Sequence, residues 1–255
     1  MHQGDTMKKL FATDYDGTLF QYGEVSQRDL DTIRKFRKQG NLFGIATGRM
    51  INSIKEEIFK YNIPVDFVIG INGGVIVDHN FKTLHSLSIE NDIGLKVQKH
   101  LKESGAVHYS ITDGYNLCNQ GEKSINLKPF DRPCQEIVNN DIRGLYARMP
   151  SIDMAREVCL EINDHYGDHV KALPNYNYVD IASSRTDKYV ALSHFVKDLN
   201  IDLIGTSGDA HNDYLMLKNY HGYAMHHGDE TIVSKISRRA HTVSEALENF
   251  MEIKK

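Results

Sequence analysis

Short apolar runs alternate along this chain with stretches in which apolar residues recur every three or four positions. Leu10 to Ala12 is too short for a helix and ends abruptly in Asp14-Tyr15-Asp16-Gly17-Thr18, which reads as a buried strand followed by a loop. Ser26 with Asp29 three residues on forms a capping box, Leu30, Ile33 and Phe36 keep a helical stripe, and Gly40 follows as terminator. Leu42 to Ala46 is a second buried run, ending in Thr47-Gly48-Arg49, after which Ile51, Ile54 and Ile58 restore a helical period. A third run, Phe67 to Ile71, closes on Asn72-Gly73-Gly74. Strands alternating with helices predict a mainly parallel sheet with right-handed crossovers, an α/β fold of Rossmann-like type.

The pattern then changes. Val75 to Val77, a turn at Asp78-His79-Asn80, and Thr83 to Leu87 predict a hairpin. Two helical stripes follow, Ile89/Ile93/Val97/Leu101 and Ile152/Ala155/Cys159/Ile162, both read as core. Among them lie strand-like pieces at Val107 to Ile111, Leu145 to Arg148, His169 to Leu173 and Tyr178 to Ile181. The βα rhythm resumes with a helix over about Asp187 to Leu199 and a strand Leu203 to Thr206 ending in Ser207-Gly208-Asp209, then a strand near Tyr223 to Met225 and two short helices. The expectation is a catalytic domain split in sequence, 1–83 and 185–255, with a separate α+β unit, 84–184, inserted into it.

Composition narrows the class. With 255 residues, 40% hydrophobic and 25% charged, the chain can bury a real core, which excludes disorder, coiled coil and collagen. Thirty Lys plus Arg against 34 Asp plus Glu leave a net charge of -4 with no basic tract, so nucleic acid is not an expected partner. No apolar run approaches the ~20 residues needed to cross a bilayer, and the expectation is a cytoplasmic protein with no membrane partner. Cys118, Cys134 and Cys159 show no CxxC spacing, so neither a disulfide framework nor a thiolate zinc site is expected and all three read as buried small side chains.

In open α/β sheets the ligand site lies beyond the carboxyl ends of the strands. The predicted strands end in Asp14/Asp16, Thr47 and Asp209/Asp213, so residues distant in sequence converge on one edge. Carboxylates gathered there repel one another unless a cation lies between them, and a site of a few carboxylates with water suits Mg²⁺. Asp-x-Asp alone is common on surface loops, and a Thr-Gly pair alone is a turn. Their joint placement carries the information. Thr47 offers a hydroxyl, Gly48 permits close backbone approach, the next helix presents N–H groups at its positive end, and Lys188 supplies a mobile cation.

Asp14-Tyr15-Asp16-Gly17-Thr18-Leu19, then Ala46-Thr47-Gly48-Arg49, Lys188, and Gly208-Asp209-Ala210-His211-Asn212-Asp213-Tyr214-Leu215-Met216 resemble, in that order, the four motifs of the haloacid dehalogenase (HAD) superfamily. The long insertion between the second and third motifs resembles the C2-type cap of the Cof-type phosphatases, subfamily IIB. The resemblance implies that Asp14 attacks phosphorus and becomes an aspartyl-phosphate. Asp16 would protonate the leaving alkoxide and then take a proton from the hydrolytic water, which asks for a pKa well above the ~3.9 of a free Asp, supplied by a neighbouring carboxylate and partial burial. It further implies Mg²⁺ held by Asp14, the backbone carbonyl of Asp16, and Asp209, with Asp213 gripping a metal-bound water or helping behind. Thr47, Gly48, Lys188 and Asn212 would cradle the phosphoryl oxygens, with Arg49 reaching substrate, the cap or a nearby acid.

The implied activity is a Mg²⁺-dependent phosphatase acting on small phosphorylated metabolites, sugar phosphates first and phosphorylated cofactors next. Phosphomannomutase-like chemistry is the nearest enzymatic rival, but its fourth motif is more widely spaced than Gly208 to Asp213. A non-catalytic sensor of a phosphorylated ligand is the rival from another class, against which every matching catalytic position is filled. Beyond the fourth motif, relatives continue with a Gly-Asn-Ala type turn where this chain has Ala224-Met225-His226-His227-Gly228. His211, His226 and His227 invite a transition-metal reading, opposed by the divergent directions of adjacent side chains at 226 and 227. Tyr176 and Tyr178 either line the cap face or pack in its sheet, and Asn72 either stands at a strand end near the cleft or forms a simple Asx turn. Met7-Lys8-Lys9 resembles a natural start, with 1–6 as a non-structural leader.

Overall fold

The computed structural model describes residues 7–121 and 130–254; the expected leader at 1–6 lies outside the described residues. The elements run β1 (Lys9–Thr13), α1 (Gln27–Lys38), β2 (Leu42–Ala46), α2 (Ile51–Tyr61), β3 (Phe67–Gly70), β4 (Val75–Asp78) and β5 (Thr83–Ser86). Next come α3 (Asn91–Glu103), β6 (His108–Thr112), β7 (Leu117–Gly121), α4 (Cys134–Asn139), β8 (Gly144–Arg148), α5 (Ile152–Tyr166), β9 (Val170–Asn175) and β10 (Tyr178–Ser183). The chain then returns through α6 (Lys188–Val196), β11 (Leu203–Gly208), α7 (Tyr214–Asn219), β12 (His221–Met225), α8 (Glu230–Val233), β13 (Arg239–Ala240) and α9 (Val243–Met251).

The first sheet has the strand order β13-β12-β11-β1-β2-β3-β4-β5, parallel from β13 to β3 and closed by the antiparallel hairpin β4/β5. Alternation along β1 explains its central place. Phe11 joins a cluster with Phe36, Phe43, Tyr223 and Phe250 on one face, its ring 5.4 Å from that of Phe250, while Leu10 and Ala12 meet Phe67, Leu192 and Met216 on the other. A strand buried on both faces is what an apolar run without alternating polarity encodes. Helix α1 begins at the Ser26 cap, whose hydroxyl accepts the Asp29 N–H at 3.1 Å and donates to Asp29 Oδ2 at 2.6 Å. Ser26→Ala removes one satisfied end donor and should cost ~1 kcal/mol in denaturant unfolding.

The second sheet, β7-β6-β8-β10-β9, is antiparallel throughout. One face packs on α3 and α5 through Val97, Leu101, Ile111, Leu145, Cys159, Ile162 and Ile181, a core separate from that of the first sheet. Position 84 falls within β5, which pairs with β4, so the chain leaves the first sheet after Ser86. The end of the chain carries the expected strand, β12, and the two short helices, α8 and α9, with an additional two-residue strand, β13, between the helices.

The cysteine expectation requires correction. Cys118 on β7 and Cys134 at the start of α4 are joined as a disulfide with Cα atoms 4.9 Å apart, and only Cys159 is a buried free thiol. The two are 16 residues apart, and β7 and α4 lie side by side, a proximity that local spacing cannot reveal. Among the described residues no helix is long and apolar enough to cross a membrane.

Candidate active site

Strand β1 lies between β11 and β2 in parallel register, so the three carboxyl ends share one edge. The Asp14 N–H donates to the Ser207 carbonyl at 2.9 Å, carrying the sheet ladder into the first loop and fixing where that side chain emerges. Gly17 follows with φ +81°, and a Cβ there would lie 2.5 Å from Asp209 Oδ2; the loop closes over Asp209 because that side chain is missing. Thr18 Oγ1 donates to Asp209 Oδ1 at 2.8 Å. After β11, Asp213 folds back so that its Oδ2 accepts the backbone N–H groups of Asp209 at 3.0 Å and Ala210 at 3.1 Å.

Asp14, Asp209 and Asp213 thus meet, each offering an oxygen within 4.8 Å of the others, and all are buried. Lys188 Nζ donates to Asp14 Oδ1 and Asp213 Oδ1, both at 2.6 Å. The sequence predicts a mobile cation at Lys188, but its side chain is fully buried and fixed between two carboxylates, at the foot of a helix capped by Asp187, which accepts the Val190 N–H at 2.9 Å. Burial alone would lower its pKa, but Asp14 and Asp213 outweigh that and raise it.

One ammonium does not neutralise three carboxylates. Burial pushes Asp14 well above the usual carboxylate range against the pull of Lys188, with Asp213 and Asp209 adding to the rise. Burial, then the charge of Asp213, lifts Asp209 to about 6. Excess negative charge on hard oxygen donors fits a divalent cation. The donors fit unequally. Both Asp213 oxygens are committed to Lys188 and backbone N–H groups, so Asp213 stands behind the cluster, whereas Oδ2 of Asp14 and of Asp209 takes no hydrogen bond from the described residues.

The surroundings expected for Asp16 are also corrected. Its side chain is half exposed, and its partner is a guanidinium: Arg49 donates through Nε at 2.7 Å and an Nη at 2.6 Å. Arg49 lies 4.9 Å from the Tyr15 ring centre and 3.5 Å from Glu57, so its contact is with a nearby acid. Thr47 is buried and its Oγ1 accepts the Arg49 N–H at 3.1 Å. Asn212 Nδ2 donates to Asn72 Oδ1 at 2.9 Å. Asn72 sits in a three-residue turn with φ of 53°, 49° and 108° at Ile71, Asn72 and Gly73, held by N–H bonds from Ile71 to the Arg49 carbonyl and from Asn72 to the Thr47 carbonyl, each 3.0 Å. A β-branched residue at positive φ costs ~1–3 kcal/mol, and here it aims an amide at the site.

A cavity of about 590 Å³ joins these groups to the second domain: Asp14, Asp16, Thr47, Gly48, Arg49, Asp209 and Asn212 on one side, Tyr146, Asn175, Tyr176, Tyr178 and Asp180 on the other. Tyr146 donates to the Gly48 carbonyl at 2.8 Å, bridging the two walls. The two tyrosines weighed from sequence do line the cavity. Tyr146, Asn175 and Asp180 went unnoticed, although polar Tyr178 and Asp180 alternate with apolar Val179 and Ile181 in a strand. The histidines do not converge: His226 stacks on His241 at 4.0 Å, His227 Nε2 contacts the Gly17 carbonyl at 2.6 Å, and His211 reaches Asp229 at 3.4 Å.

Fold and site together define a protein of α/β class with an acidic cluster at the carboxyl edge of its mainly parallel sheet and an inserted covering domain. The family model for haloacid dehalogenase-like hydrolases matches residues 11–245, and the chain belongs to that family. A protein of Buchnera aphidicola subsp. Baizongia pistaciae, whose name proposes a phosphatase, is 27% identical over 234 residues, covering 83% of each chain. Among solved structures, a HAD/COF-like hydrolase from Plasmodium vivax superposes with a TM-score of 0.81 at 22% identity over 98% of both chains. A HAD subclass IIB sugar phosphatase superposes with a TM-score of 0.78 at 18% identity, over 97% of this chain and 100% of its own. At such identities the structural likeness is one of fold.

Proposed function

We propose that this chain is a Mg²⁺-dependent phosphomonoester hydrolase acting on small phosphorylated metabolites, chiefly sugar phosphates, through an aspartyl-phosphate on Asp14. One observation carries the reading: a buried, under-neutralised carboxylate cluster opens, through Asp14 and Asp209, into a cavity roofed by a second domain. The subclass IIB sugar phosphatase of the same fold supports the substrate class.

Asp14 is oriented by Lys188 through Oδ1, which leaves Oδ2 to attack phosphorus along the line of the departing ester bond. As the P–O bond breaks, Asp16 gives its proton to the leaving oxygen. Water then attacks the aspartyl-phosphate, Asp16 takes a proton from that water, and inorganic phosphate departs as the bond to Asp14 breaks. Asp16 must release Arg49 to do this, so the ion pair holds the acid at the cavity mouth until a substrate displaces it. Thr47 and Asn212 line the cavity where the phosphoryl oxygens would rest, while Lys188, fully buried, holds Asp14 and Asp213 from behind. Asp209, the Asp16 carbonyl and Asp14 through the oxygen that does not attack would hold Mg²⁺, with Asp213 behind them; when bound it would offset the repulsion between the nucleophile and the phosphate anion. The second domain shields the reaction from bulk water.

The test is phosphate release from a panel of phosphorylated metabolites, ranked by kcat/KM, before and after EDTA. Turnover should vanish on chelation and return with Mg²⁺; metal-independent release, or restoration by Zn²⁺ alone, would refute the reading. The pH sign follows from Asp209. An acid raised from 3.8 to about 6 takes up a proton on folding, so the metal-free protein loses stability as pH rises through that interval. Cation binding needs the deprotonated form, so the increase in Tm caused by Mg²⁺ should be larger at pH 7.5 than at pH 5.

A further inference from the structure

The face of the second sheet turned toward the catalytic cavity carries a row of polar residues in register across three strands. Ser110 on β6 pairs with Tyr146 on β8, and Tyr146 with Asp180 on β10, while Val179 and Ile181 on either side of Asp180 point into the opposite, apolar core. Asp180 is buried, with 8% of its surface exposed, yet it lines the cavity. Its carboxylate accepts from Asn175 Nδ2 at 3.4 Å, the Asn72 amide flanks the neighbouring Gly48, and no ion pair reaches it among the described residues. A Cβ on Gly48 would lie 3.2 Å from its Oδ2, so this carboxylate descends from the second domain's wall of the cavity onto the loop beside Thr47, on the side toward which the leaving group of an ester seated there would extend. Arg49, the cation across the cavity, has a second acid in Glu57 at 3.5 Å, which keeps it paired when Asp16 turns to the leaving oxygen.

A buried carboxylate that lines the cavity with no ion-pair partner among the described residues repels an anionic leaving group, whereas a hydroxyl can donate to it. We infer that Asp180 is the specificity-determining residue of the second domain, accepting hydroxyl groups of an uncharged, polyhydroxylated leaving group and rejecting leaving groups that carry a carboxylate or a second phosphate. The assignment rests on the phosphomonoesterase reading above and adds to it a residue and a rule of exclusion. Asn175 positions the carboxylate, and Tyr146 supplies a neighbouring hydroxyl.

The decisive comparison is Asp180→Asn, of the same size but uncharged. For wild type and variant, kcat/KM is measured with glucose 6-phosphate, phosphoglycolate and p-nitrophenyl phosphate. The ratio of glucose 6-phosphate to p-nitrophenyl phosphate should fall at least tenfold in the variant, mainly through KM, and the ratio of phosphoglycolate to glucose 6-phosphate should rise. A parallel fall with all three esters, leaving the ratios unchanged, would reduce Asp180 to a latch between the domains and overturn the assignment. Calorimetric binding of glucose 6-phosphate and phosphoglycolate, in an Asp14→Asn background with and without Asp180→Asn, separates this inference from the hydrolytic reading. Should the wild type hydrolyse none of these esters, the hydrolytic reading falls, while a tenfold weakening of glucose 6-phosphate relative to phosphoglycolate still upholds Asp180; equal affinities in the two backgrounds refute it.

Discussion

Asp14→Asn should lower phosphate release by at least ~10⁴-fold, because loss of a covalent nucleophile removes the reaction path while leaving only binding and electrostatic contributions. The same substitution should not unfold the protein. Asp14 is a buried acid whose charge is opposed by desolvation and by two neighbouring carboxylates, so its neutral isostere relieves repulsion while its amide oxygen can still accept from Lys188. An unchanged or higher Tm in EDTA together with lost turnover is the expected pair of results, a case in which activity and stability pull against each other. Phosphate release above one-hundredth of wild type would remove Asp14 from its role. A fall in Tm of many degrees would mean that the ion pair with Lys188 contributes more than the repulsion costs.

Much of this site was legible because its residues sit where apolar runs stop. Leu10–Ala12 and Leu42–Ala46 are buried on both faces, so the polar residues just beyond each had to emerge on the sheet edge, and Asp209 follows β11 in the same way. What was not legible depends on partners distant in the chain. Lys188 has no local mark that separates a buried ammonium from a solvated one; its burial follows from Asp14, 174 residues away, and Asp213, 25 residues away. Strand β7, Leu-Cys-Asn-Gln-Gly, has too few β-branched or aromatic residues to announce itself and is held by its ladder to β6. Helix α4 has six residues, too few for a period to register. Asp180 shows the same limit from the other side: alternation along β10 set it apart from Val179 and Ile181, but only the register with Tyr146 and the contact with Gly48 place it over the site.

Lys188→Met, close in length and shape, tests the electrostatics of the cluster most directly. The ammonium sits 2.6 Å from each of two carboxylate oxygens in a slot closed to solvent, and replacing it by a thioether leaves those charges buried without a counter-ion. Breaking a buried pair from one side costs ~3–5 kcal/mol, far more than the pair itself contributes against an apolar replacement of both partners. The pH dependence carries the diagnosis. A base whose folded pKa is raised adds stability that is fully present below its unfolded value of 10.5 and is lost only as pH rises through the folded one, so at neutral pH the wild type holds all of it. In the variant the acids can escape the penalty only by taking up protons. The gap in urea unfolding free energy between wild type and variant should therefore be widest near pH 7.5 and narrow steadily toward pH 4.5. A gap independent of pH would instead assign the loss to packing around the methionine. Turnover should fall with stability restored at low temperature, because Oδ1 of Asp14 is then unheld and Oδ2 no longer faces phosphorus along a fixed line.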